Sequence, residues 1–383
     1  MSEGARAGRW QLRWRVHEIP FKDPFRIARS VDDRVATTLI AELEEAGGPT
    51  GLGEGFPDPF YGETVATMAV VLPLLLEALV PLGPMPDELE SVRAWLRSAD
   101  EAMEDGIRHH GAAKCALDIA LHDLAGQRLA LGLPELLGTP RHVPPTDFTI
   151  GLDEPAVVAQ RAARASHFPA LKIKVGGPRD LATLEAVRAV YGGPIRVDAN
   201  TGWSLADGER LVPELVRLGV ELIEQPFLAH RLADLAALQR VSPLPVVADE
   251  SAVVATDLDA LVGVVQGVNV KLAKVGGVGP AKRMIEQARA AGFRIFLGCM
   301  EETTVGVAAS VAVAGLVDWV DLDGNLLLAD DPYEPGARRG LPLAPVRPAR
   351  PRGPPAPRLT HVDNLVDNLV DRSLPAKCPA EVP

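Results

Sequence analysis

Eight short apolar runs between residues 146 and 321, each ending in a polar or reactive side chain, constrain the fold of this chain more than any other feature. The gaps between successive run ends are 25, 24, 26, 25, 22, 28 and 22 residues. This spacing is typical of a repeated strand–helix unit. A doubly wound sheet would share it, but eight regular repeats favour a closed parallel barrel. The run ends are Thr149, Lys174, Asp198, Glu224, Asp249, Lys271, Cys299 and Asp321.

The first 137 residues lack this repeat and predict a separate α+β unit. In "WQLRWRV", residues 10–16, the apolar side chains alternate as in a half-buried strand, and residues 36–55 predict a second strand that leads into a Gly/Pro turn. These two strands indicate an antiparallel sheet. Three segments with apolar residues at helical spacing follow, and we expect a break in the first of them at Pro73.

The remaining boundaries follow from changes in composition. A turn-rich connector at 138–145 begins the barrel, which we place at 138–324. No helix-length pattern follows the eighth run, so we expect residues 325–346 to return to the N-terminal unit. Residues 347–383 are rich in proline and carry a short polar repeat, which cannot support a packed core, so we expect this tail to be mostly disordered.

Composition and charge narrow the classes of function. The net charge of −12 argues against nucleic acid as a partner, because a phosphate-binding surface needs clustered Lys and Arg. The 3 cysteines are too few and too scattered for a disulfide framework or a thiolate metal site. The N-terminus has no apolar segment of signal-peptide length, and no run approaches the ~18 consecutive apolar residues of a spanning helix. We therefore expect a cytoplasmic enzyme with a small-molecule substrate and no membrane partner.

Three carboxylates at neighbouring strand ends indicate a metal site. Asp198, Glu224 and Asp249 end consecutive predicted strands, and the C-terminal ends of the strands form the active-site face of a parallel barrel. Three oxygen ligands without His or Cys select a hard cation, and we expect one Mg²⁺ per subunit. The alternative is that each carboxylate caps the following helix or pairs with a surface Arg.

Lysines flank these carboxylates. Lys172 and Lys174 leave the same face of the second strand, while Lys271 ends the sixth strand, across the barrel mouth. A free lysine, with a pKa of ~10.4, is a poor base near neutrality, but burial beside a second ammonium and a divalent cation would lower the pKa to ~7–8. Lys174 and Lys271 are then candidates for a pair that removes a proton from one face of a carbon and returns one to the other. Lys172 would act electrostatically, and structural ion pairs are the alternative for all three.

Two further carboxylates, Asp321 and Asp323, share a face at the end of the eighth strand. Because the metal does not need them, they would suit an ammonium group on the substrate. A helix-capping or loop-fixing role is the alternative interpretation of this pair.

The motifs "LKIKVG", "RVDAN", "IEQP", "ADES" and "VNVKLAKVGG" occur in order and resemble the muconate-lactonising (muconate cycloisomerase) subgroup of the enolase superfamily. The resemblance covers about residues 9–345 and implies an α/β fold, a modified TIM barrel (β/α)7β with an N-terminal α+β capping domain at 1–137. It makes Lys174 and Lys271 the acid/base pair, with Lys172 as their electrostatic partner. It also makes the three carboxylates described above the Mg²⁺ ligands.

Within the subgroup, "DLDG" at 321–324 is similar to the signature of dipeptide epimerases, in which two aspartates hold the α-ammonium of the substrate. The segments "TDFTIG" and "GCMEETTVG" share this likeness. By resemblance they place Thr149, Cys299 and Met300 around the substrate.

Substrate choice in this family rests largely on capping-domain loops, which correspond here to "PFRIARS" and "GFPDPFYGET". By resemblance, Arg26 and Arg29 would meet an acidic substrate side chain, as in Ala-Glu epimerases. Glu301 and Asp58 would instead meet a cationic side chain. The sequence leaves both alternatives open.

The sequence thus predicts a homo-oligomeric, Mg²⁺-dependent epimerase that inverts the α-carbon of the C-terminal residue of an L,L-dipeptide through a metal-stabilised enediolate. N-acylamino-acid racemase, o-succinylbenzoate synthase and muconate cycloisomerase activities are alternatives that use the same lysines and metal. A non-catalytic barrel that binds a cationic ligand and a Schiff-base lyase built on Lys174 or Lys271 are alternatives of other classes.

Overall fold

The structure is a computed structural model that describes residues 3–29 and 33–333. Within these residues the chain forms an α+β capping domain followed by a parallel barrel. The return segment expected at 325–346 is described as far as residue 333, and the tail expected at 347–383 lies outside the described residues.

Four antiparallel strands form the sheet of the capping domain, in the order β1-β2-β3-β4. Trp10, Leu12 and Trp14 are buried and alternate with more exposed neighbours, as the period of two in the sequence predicts. The first strand is not predicted, because its residues "EGARA" show no apolar alternation. The strands are β1 (Glu3–Ala7), β2 (Trp10–Phe25), β3 (Asp33–Glu45) and β4 (Thr50–Gly55).

Four helices follow this sheet along the chain. The break expected at Pro73 is wrong, because the first helix continues through that residue. The Thr64 side chain caps this helix by accepting a hydrogen bond from the Thr67 amide, and Leu72 and Leu75 are buried in the capping-domain core. This burial outweighs the one hydrogen bond that a proline removes. The helices are α1 (Val65–Ala78), α2 (Leu89–Gly106), α3 (Gly111–Leu129) and α4 (Leu133–Leu137).

Helix α3 joins the two units. Gly51, Gly53 and Gly55 on β4 approach it so closely that a Cβ would lie 2.0, 1.9 and 2.2 Å from helix carbonyl oxygens. At the start of α3, a Cβ on Gly111 would lie 2.2 Å from the carbonyl oxygen of Lys274 in the barrel. Residues with side chains cannot make these approaches, so glycine lets α3 pack directly on both the capping sheet and the short helix after the sixth barrel strand.

Eight parallel strands form the barrel, in chain order, which confirms the predicted barrel fold. Thr146 bridges to Val320, which nearly closes the sheet between its first and last strands. The strands are β5 (Phe148–Ile150), β6 (Leu171–Lys174), β7 (Ile195–Asp198), β8 (Val220–Glu224), β9 (Val246–Ala248), β10 (Gly267–Val270), β11 (Arg294–Gly298) and β12 (Trp319–Asp321). The helices between them are α5 (Pro155–Arg164), α6 (Asp180–Arg188), α7 (Leu205–Arg217), α8 (Leu232–Val241), α9 (Leu258–Leu261), α10 (Leu272–Val275), α11 (Val278–Ala290) and α12 (Thr304–Val311).

After the last barrel strand the chain turns back toward the capping domain. One short helix, α13 (Gly324–Leu327), follows β12. Leu328 then pairs with Phe21 of β2, and the Ala329 amide donates a hydrogen bond of 2.7 Å to the Pro20 carbonyl oxygen. These contacts hold the end of the barrel against the longest strand of the capping sheet.

One helical stretch among the described residues, Val65–Leu82, is long and apolar enough to cross a membrane by length and composition. It is not recognised from the sequence, because its apolar residues do not form an uninterrupted run. One third of this stretch is buried inside the structure. Met68 and Leu72 pack in the capping-domain core, while Val70 and Leu74 are exposed. Core helices often pass the same test, so this stretch is weak evidence for a membrane partner.

Candidate active site

Six charged side chains that the sequence predicts as catalytic, electrostatic or metal-binding meet at the C-terminal ends of β6–β10. None of them is more than 8% exposed. Because buried charges are stable when they are compensated, this cluster has to balance its charges internally. The six are Lys172, Lys174, Asp198, Glu224, Asp249 and Lys271.

Lys172 lies at the centre of this cluster. Its Nζ is 2.7 Å from Asp321 Oδ2, 2.8 Å from Glu224 Oε2 and 3.1 Å from Asp198 Oδ2. Burial alone would lower the pKa of this lysine, but the three carboxylates raise it well above the ordinary value. Lys172 is therefore a fixed positive charge, which suits the electrostatic role expected of it.

Lys174 and Lys271 contact the cluster from opposite sides. Lys174 Nζ is 2.7 Å from Asp198 Oδ2, and Lys271 Nζ is 2.9 Å from Asp249 Oδ2. Their strands, β6 and β10, are four positions apart in the eight-stranded barrel, so the two ammonium groups lie across its mouth from each other. A small molecule bound over the carboxylates would have one lysine on each side.

The lowered pKa expected for the lysine pair depends on a divalent cation beside it and stays a prediction. The protein's own groups give a different balance at Lys271. Burial would lower its pKa, but the adjacent Asp249 carboxylate raises it above the ordinary value. The expectation weighed burial, the other ammonium group and a divalent cation, but not the carboxylate that each lysine contacts. Burial is the largest single influence on this pKa, but Asp249, whose Oδ2 is 2.9 Å from Lys271 Nζ, outweighs it together with Glu224 and Asp198.

A second residue, not singled out from the sequence, holds each of the three carboxylates. One oxygen of each carboxylate contacts Lys172 or Lys271, and the supporting residue donates to the other oxygen. The backbone N–H of Asn200 donates to Asp198 Oδ1 at 2.9 Å. Asn269 Nδ2 donates to Glu224 Oε1 at 2.6 Å, and Lys274 Nζ donates to Asp249 Oδ1 at 2.6 Å.

Lys274 is the most constrained of these supporting residues. Its Nζ also donates to the carbonyl oxygens of Asp249, Ala252 and Asn269, at 2.8 to 2.9 Å. Burial lowers its pKa, although Asp249 opposes that shift. The signal in the sequence is its position in "VNVKLAKVGG", where it follows Lys271 by three residues among apolar neighbours.

The chemistry of the three carboxylates suits a hard divalent cation. Glu224 Oε2 has no hydrogen-bond partner among the described residues, although Lys172 Nζ lies 2.8 Å away. Burial and the neighbouring Asp198 raise the pKa of Glu224 to about 7, which indicates a shortage of positive charge around it. Within residues 3–29 and 33–333, no group of three or more His, Cys, Asp or Glu side chains is already arranged to hold a metal. Lys172 instead bridges two of the carboxylates.

Asp321 and Asp323 share the end of β12 but have different surroundings. Thr149 on β5 contacts both, since its Oγ1 donates to Asp321 Oδ1 at 2.9 Å and its amide donates to Asp323 Oδ2 at 2.5 Å. Burial would raise the pKa of Asp321, but the ion pair with Lys172 lowers it. Burial and the neighbouring Asp321 raise the pKa of Asp323 well above its usual value. Asp323 is thus the carboxylate of the pair that has no counter-ion among the described residues.

Cys299 and Met300 follow β11 and lie beside the aspartate pair. A Cβ on Gly324 would be 2.3 Å from the Met300 carbonyl oxygen and 3.2 Å from Cys299 Sγ, so this part of the wall is closely packed. Burial raises the pKa of Cys299 well above its usual value, which keeps the thiol protonated. Its surroundings therefore suit a wall of the pocket rather than a nucleophile.

Arg29, expected to meet an acidic substrate, lies at the barrel mouth in an ion pair. Its guanidinium donates to Glu250 Oε1, lies 3.5 Å from Asp58 Oδ2, and stacks over the Phe60 ring at 4.3 Å. Glu250 directly follows the predicted metal ligand Asp249, so Arg29 links a capping-domain loop to the barrel. The sequence places this arginine at the mouth but gives no sign of its partner.

Two family descriptions match almost the whole described chain. "Mandelate racemase / muconate lactonizing enzyme, N-terminal domain" matches residues 11–138, and "Enolase C-terminal domain-like" matches residues 155–329. The protein is a member of the enolase superfamily. The membership that the sequence predicts is therefore confirmed, and the epimerase relatives described next confirm the isomerase class.

Named relatives of this enolase-superfamily protein include several epimerases. It is 35% identical over 330 residues to the L-Ala-D/L-Glu epimerase of Bacteroides thetaiotaomicron, covering 85% of this chain and 83% of the relative. It is 34% identical over 348 residues to the L-Lys-D/L-Arg epimerase of Methylococcus capsulatus, covering 84% and 92%. The crystal structure of a dipeptide epimerase from Enterococcus faecalis V583, complexed with Mg and L-Leu-L-Tyr, superposes with a TM-score of 0.77 at 33% identity, covering 84% and 92% of the two chains.

Proposed function

We propose that this enolase-superfamily protein is a Mg²⁺-dependent dipeptide epimerase. It inverts the α-carbon of the C-terminal residue and interconverts L,L- and L,D-dipeptides. The observation that carries the proposal is the position of Lys174 and Lys271 on opposite sides of one buried carboxylate cluster. The epimerase names and bound dipeptides of the relatives support the same reaction.

The two lysines divide the proton transfer between them. One removes the α-proton, and the other, across the barrel mouth, delivers a proton to the opposite face. Each lysine contacts a carboxylate, Asp198 for Lys174 and Asp249 for Lys271, and this contact holds the ammonium in place. A lysine becomes a useful base when its carboxylate turns to another cation, because the interaction that favours the charged ammonium is then weakened.

Asp198, Glu224 and Asp249 would hold the Mg²⁺. A bound divalent cation supplies positive charge beside the substrate carboxylate, which stabilises the negative charge that develops as the α-proton leaves. Glu224 Oε2 forms an ion pair with Lys172 but has no hydrogen-bond partner among the described residues, and this together with the raised pKa of that carboxyl supports a cation at this position. Lys172 adds a fixed positive charge between Asp198 and Glu224.

Asp323 would bind the α-ammonium of the N-terminal residue. It lacks a cationic partner in the described structure, whereas Asp321 is already paired with Lys172. A buried carboxylate without a counter-ion gains most from a ligand that carries a positive charge. This charge pairing favours a free dipeptide over an N-acylated amino acid, which has no ammonium.

Hydrogen exchange tests the proposal. The protein is incubated with Mg²⁺ and pools of L,L-dipeptides in D₂O, and mass spectrometry follows deuterium at the α-carbon while chiral chromatography follows the L,D isomer. The proposal predicts one deuterium per molecule together with inversion in at least one pool. Absence of exchange in every pool would refute it, and exchange that chelators do not stop would refute the Mg²⁺ requirement.

A further inference from the structure

We propose that Glu54, on β4 of the capping domain, is a positioning residue for the reaction, because it fixes one end of the active-site wall that follows β11. This inference rests on the proposed epimerase function and adds a group outside the barrel on which proton transfer depends. The wall segment comprises residues 299–302, which include the pocket-wall residues Cys299 and Met300. The inference is carried by the contacts of one buried carboxylate and by the place of its donors in the chain.

The Glu54 side chain is 0% exposed and accepts four hydrogen bonds. Its Oε1 accepts from Thr38 Oγ1 on β3 at 2.7 Å and from the Thr303 backbone amide at 2.9 Å. Its Oε2 accepts from Thr303 Oγ1 at 2.6 Å and from the Gly306 amide at 2.8 Å. Three of these four donors belong to the barrel, so this carboxylate connects the two domains.

The barrel donors lie at the start of α12. Thr303 is the N-cap of this helix, and Gly306 lies in its first turn. Backbone N–H groups at this end lack acceptors within the helix and carry partial positive charge, which a carboxylate satisfies. Burial raises the pKa of Glu54, whereas all four hydrogen bonds favour its ionised form. Glu54 therefore matches this helix end in charge as well as in geometry.

The start of α12 is also the end of the wall segment. Residues 299–302 run from Gly298, the last residue of β11, to Thr303. The strand fixes the first end of the segment, and Glu54 fixes the second end through Thr303. Inside the segment, the Met300 amide donates a hydrogen bond of 3.2 Å to Glu302 Oε2, which passes a displacement at Thr303 on to Met300. The position of this pocket-wall residue thus depends on a carboxylate of the capping domain.

Asp331 holds α12 by contacts that do not involve Glu54. Its Oδ2 accepts hydrogen bonds of 2.7 Å from the Thr304 amide and 2.6 Å from Thr304 Oγ1. These contacts satisfy a further backbone N–H at the same helix end. Loss of the Glu54 contacts should therefore displace the wall segment rather than unfold the helix, and we expect its consequence in the geometry of the reaction.

Glu54→Gln should lower kcat more than it changes KM. Each oxygen of Glu54 accepts a backbone amide, so the glutamine NH₂ group would face an N–H donor in either orientation. Asp323, proposed to bind the substrate ammonium, is held by the Thr149 amide instead, so KM should change by less than about threefold. The α-carbon loses its alignment with the two lysines. Because a displacement near 1 Å costs about 100-fold, we expect kcat to fall about 10- to 100-fold.

Alkylation of Cys299 reports the position of the wall segment without any measurement of activity. Cys299 is partly exposed, and peptide mass spectrometry after treatment with N-ethylmaleimide separates it from Cys115 and Cys378. Glu54→Gln should raise the labelling rate of Cys299 about tenfold or more, because hydrogen bonds to a charged group are lost and the segment opens more often.

Glu63→Gln is the matched control for this labelling. Glu63 is also a buried carboxylate that accepts two backbone amides at a helix start, those of Ala112 and Ala113 on α3. The control should leave the labelling rate of Cys299 as it is in the wild type. A wild-type rate in Glu54→Gln, or an equal rise in Glu63→Gln, would overturn the inference.

Two substitutions of Thr303 test the same contact from the barrel side and decide the inference if Glu54→Gln does not fold. Thr303→Val removes the hydroxyl that donates to Glu54 Oε2, whereas Thr303→Ser keeps it. The valine variant should show faster labelling of Cys299 and a lower kcat, and the serine variant should resemble the wild type in both. Equal behaviour of the valine and serine variants would overturn the inference.

Failure of this inference and failure of the proposed function give different results. Epimerisation by the wild type together with an unchanged kcat in Glu54→Gln would overturn the positioning role and leave the proposed function intact. No turnover of any dipeptide by the wild type would overturn both.

Discussion

At the scale of single residues, Asp321 and Asp323 show how neighbours on one strand end acquire different roles. Asp321 Oδ2 is 2.7 Å from Lys172 Nζ, so its charge is compensated within the protein. Asp323 accepts hydrogen bonds from Thr149 and has no ion pair with a described residue. The difference predicts that Asp323 contributes the larger share of binding to a substrate ammonium.

Asp323→Asn should therefore weaken dipeptide epimerisation selectively. We expect kcat/KM for a free L,L-dipeptide to fall roughly 30-fold, because a charge-assisted hydrogen bond contributes about 1.5–3 kcal/mol. Racemisation of an N-succinylamino acid, tested with the same preparation, should not fall in parallel. Equal activity of the variant and the wild type on the dipeptide would exclude this role for Asp323.

The charged side chains of the buried cluster could be placed together from the sequence because each lies at or near the end of an apolar run. Lys274 and Asn269 could not be assigned in the same way. Their importance depends on which acceptors fold against them, and Lys274 Nζ reaches acceptors on Asp249 and Ala252 that lie more than twenty positions earlier. The effect of Asp249 on the pKa of Lys271 could not be predicted for a related reason, since it depends on a distance that sequence spacing does not contain.

At the scale of elements, the contact of α3 with α11 links the capping domain to the barrel. Asp118 on α3 accepts a hydrogen bond from the Val278 amide at the start of α11, and His122 Nδ1 lies 3.2 Å from Asp118 Oδ1. Asp100 on α2 lies near Asp118 and His122, and its Oδ2 forms an ion pair of 2.8 Å with Nη1 of Arg283 on α11. Burial would lower the pKa of His122, but Asp118 raises it to about 9.

This network predicts a pH dependence of stability. The folded pKa of His122, about 9, is above the unfolded value of ~6.5, so its contribution is complete below pH ~6.5 and is lost as the pH rises through about 9. We expect the free energy of unfolding of the wild type, relative to His122→Gln, to fall by roughly 3 kcal/mol between pH 6.5 and 9.5. Urea denaturation at the two pH values measures this difference, and parallel changes in the two proteins would contradict the assignment.

Elements with a strong local pattern were predicted, and those decided by tertiary packing were not. The barrel strands were found because their spacing repeats eight times along the chain. Strand β1 forms because it pairs with β2. Helix α1 continues through Pro73 because its apolar residues are buried in the capping-domain core. A local sequence pattern contains neither of these tertiary contacts.

At the scale of the whole molecule, the carboxylate cluster predicts that Mg²⁺ stabilises the folded protein. A ligand that binds the folded state at a hundred times its dissociation constant adds about 2.7 kcal/mol to the free energy of unfolding. Thermal unfolding should therefore shift upward with Mg²⁺ in the wild type and shift little in Asp249→Asn. The exposed Asp259→Asn is the matched control and should behave as the wild type. A Mg²⁺ shift of equal size in Asp249→Asn would contradict the assigned site.

Cellular and assembly properties belong to the same scale. A cytoplasmic location, a homo-oligomer and the absence of nucleic-acid and membrane partners stay predictions of the sequence. The expected disorder of the tail at 347–383 also stays a prediction, since it lies outside the described residues. Sedimentation of the full chain with and without Mg²⁺ would determine the oligomeric state.

The two-lysine proton transfer is tested most directly by single substitutions of its two members in D₂O. Lys174→Ala and Lys271→Ala should each lose epimerisation by about 10³-fold or more, because general acid–base groups contribute about 10²–10⁴-fold each. Each variant should still exchange the α-proton of one isomer without inversion, and the two variants should act on opposite isomers, L,L for one and L,D for the other. Epimerisation of a dipeptide by both variants at the wild-type rate would contradict the account.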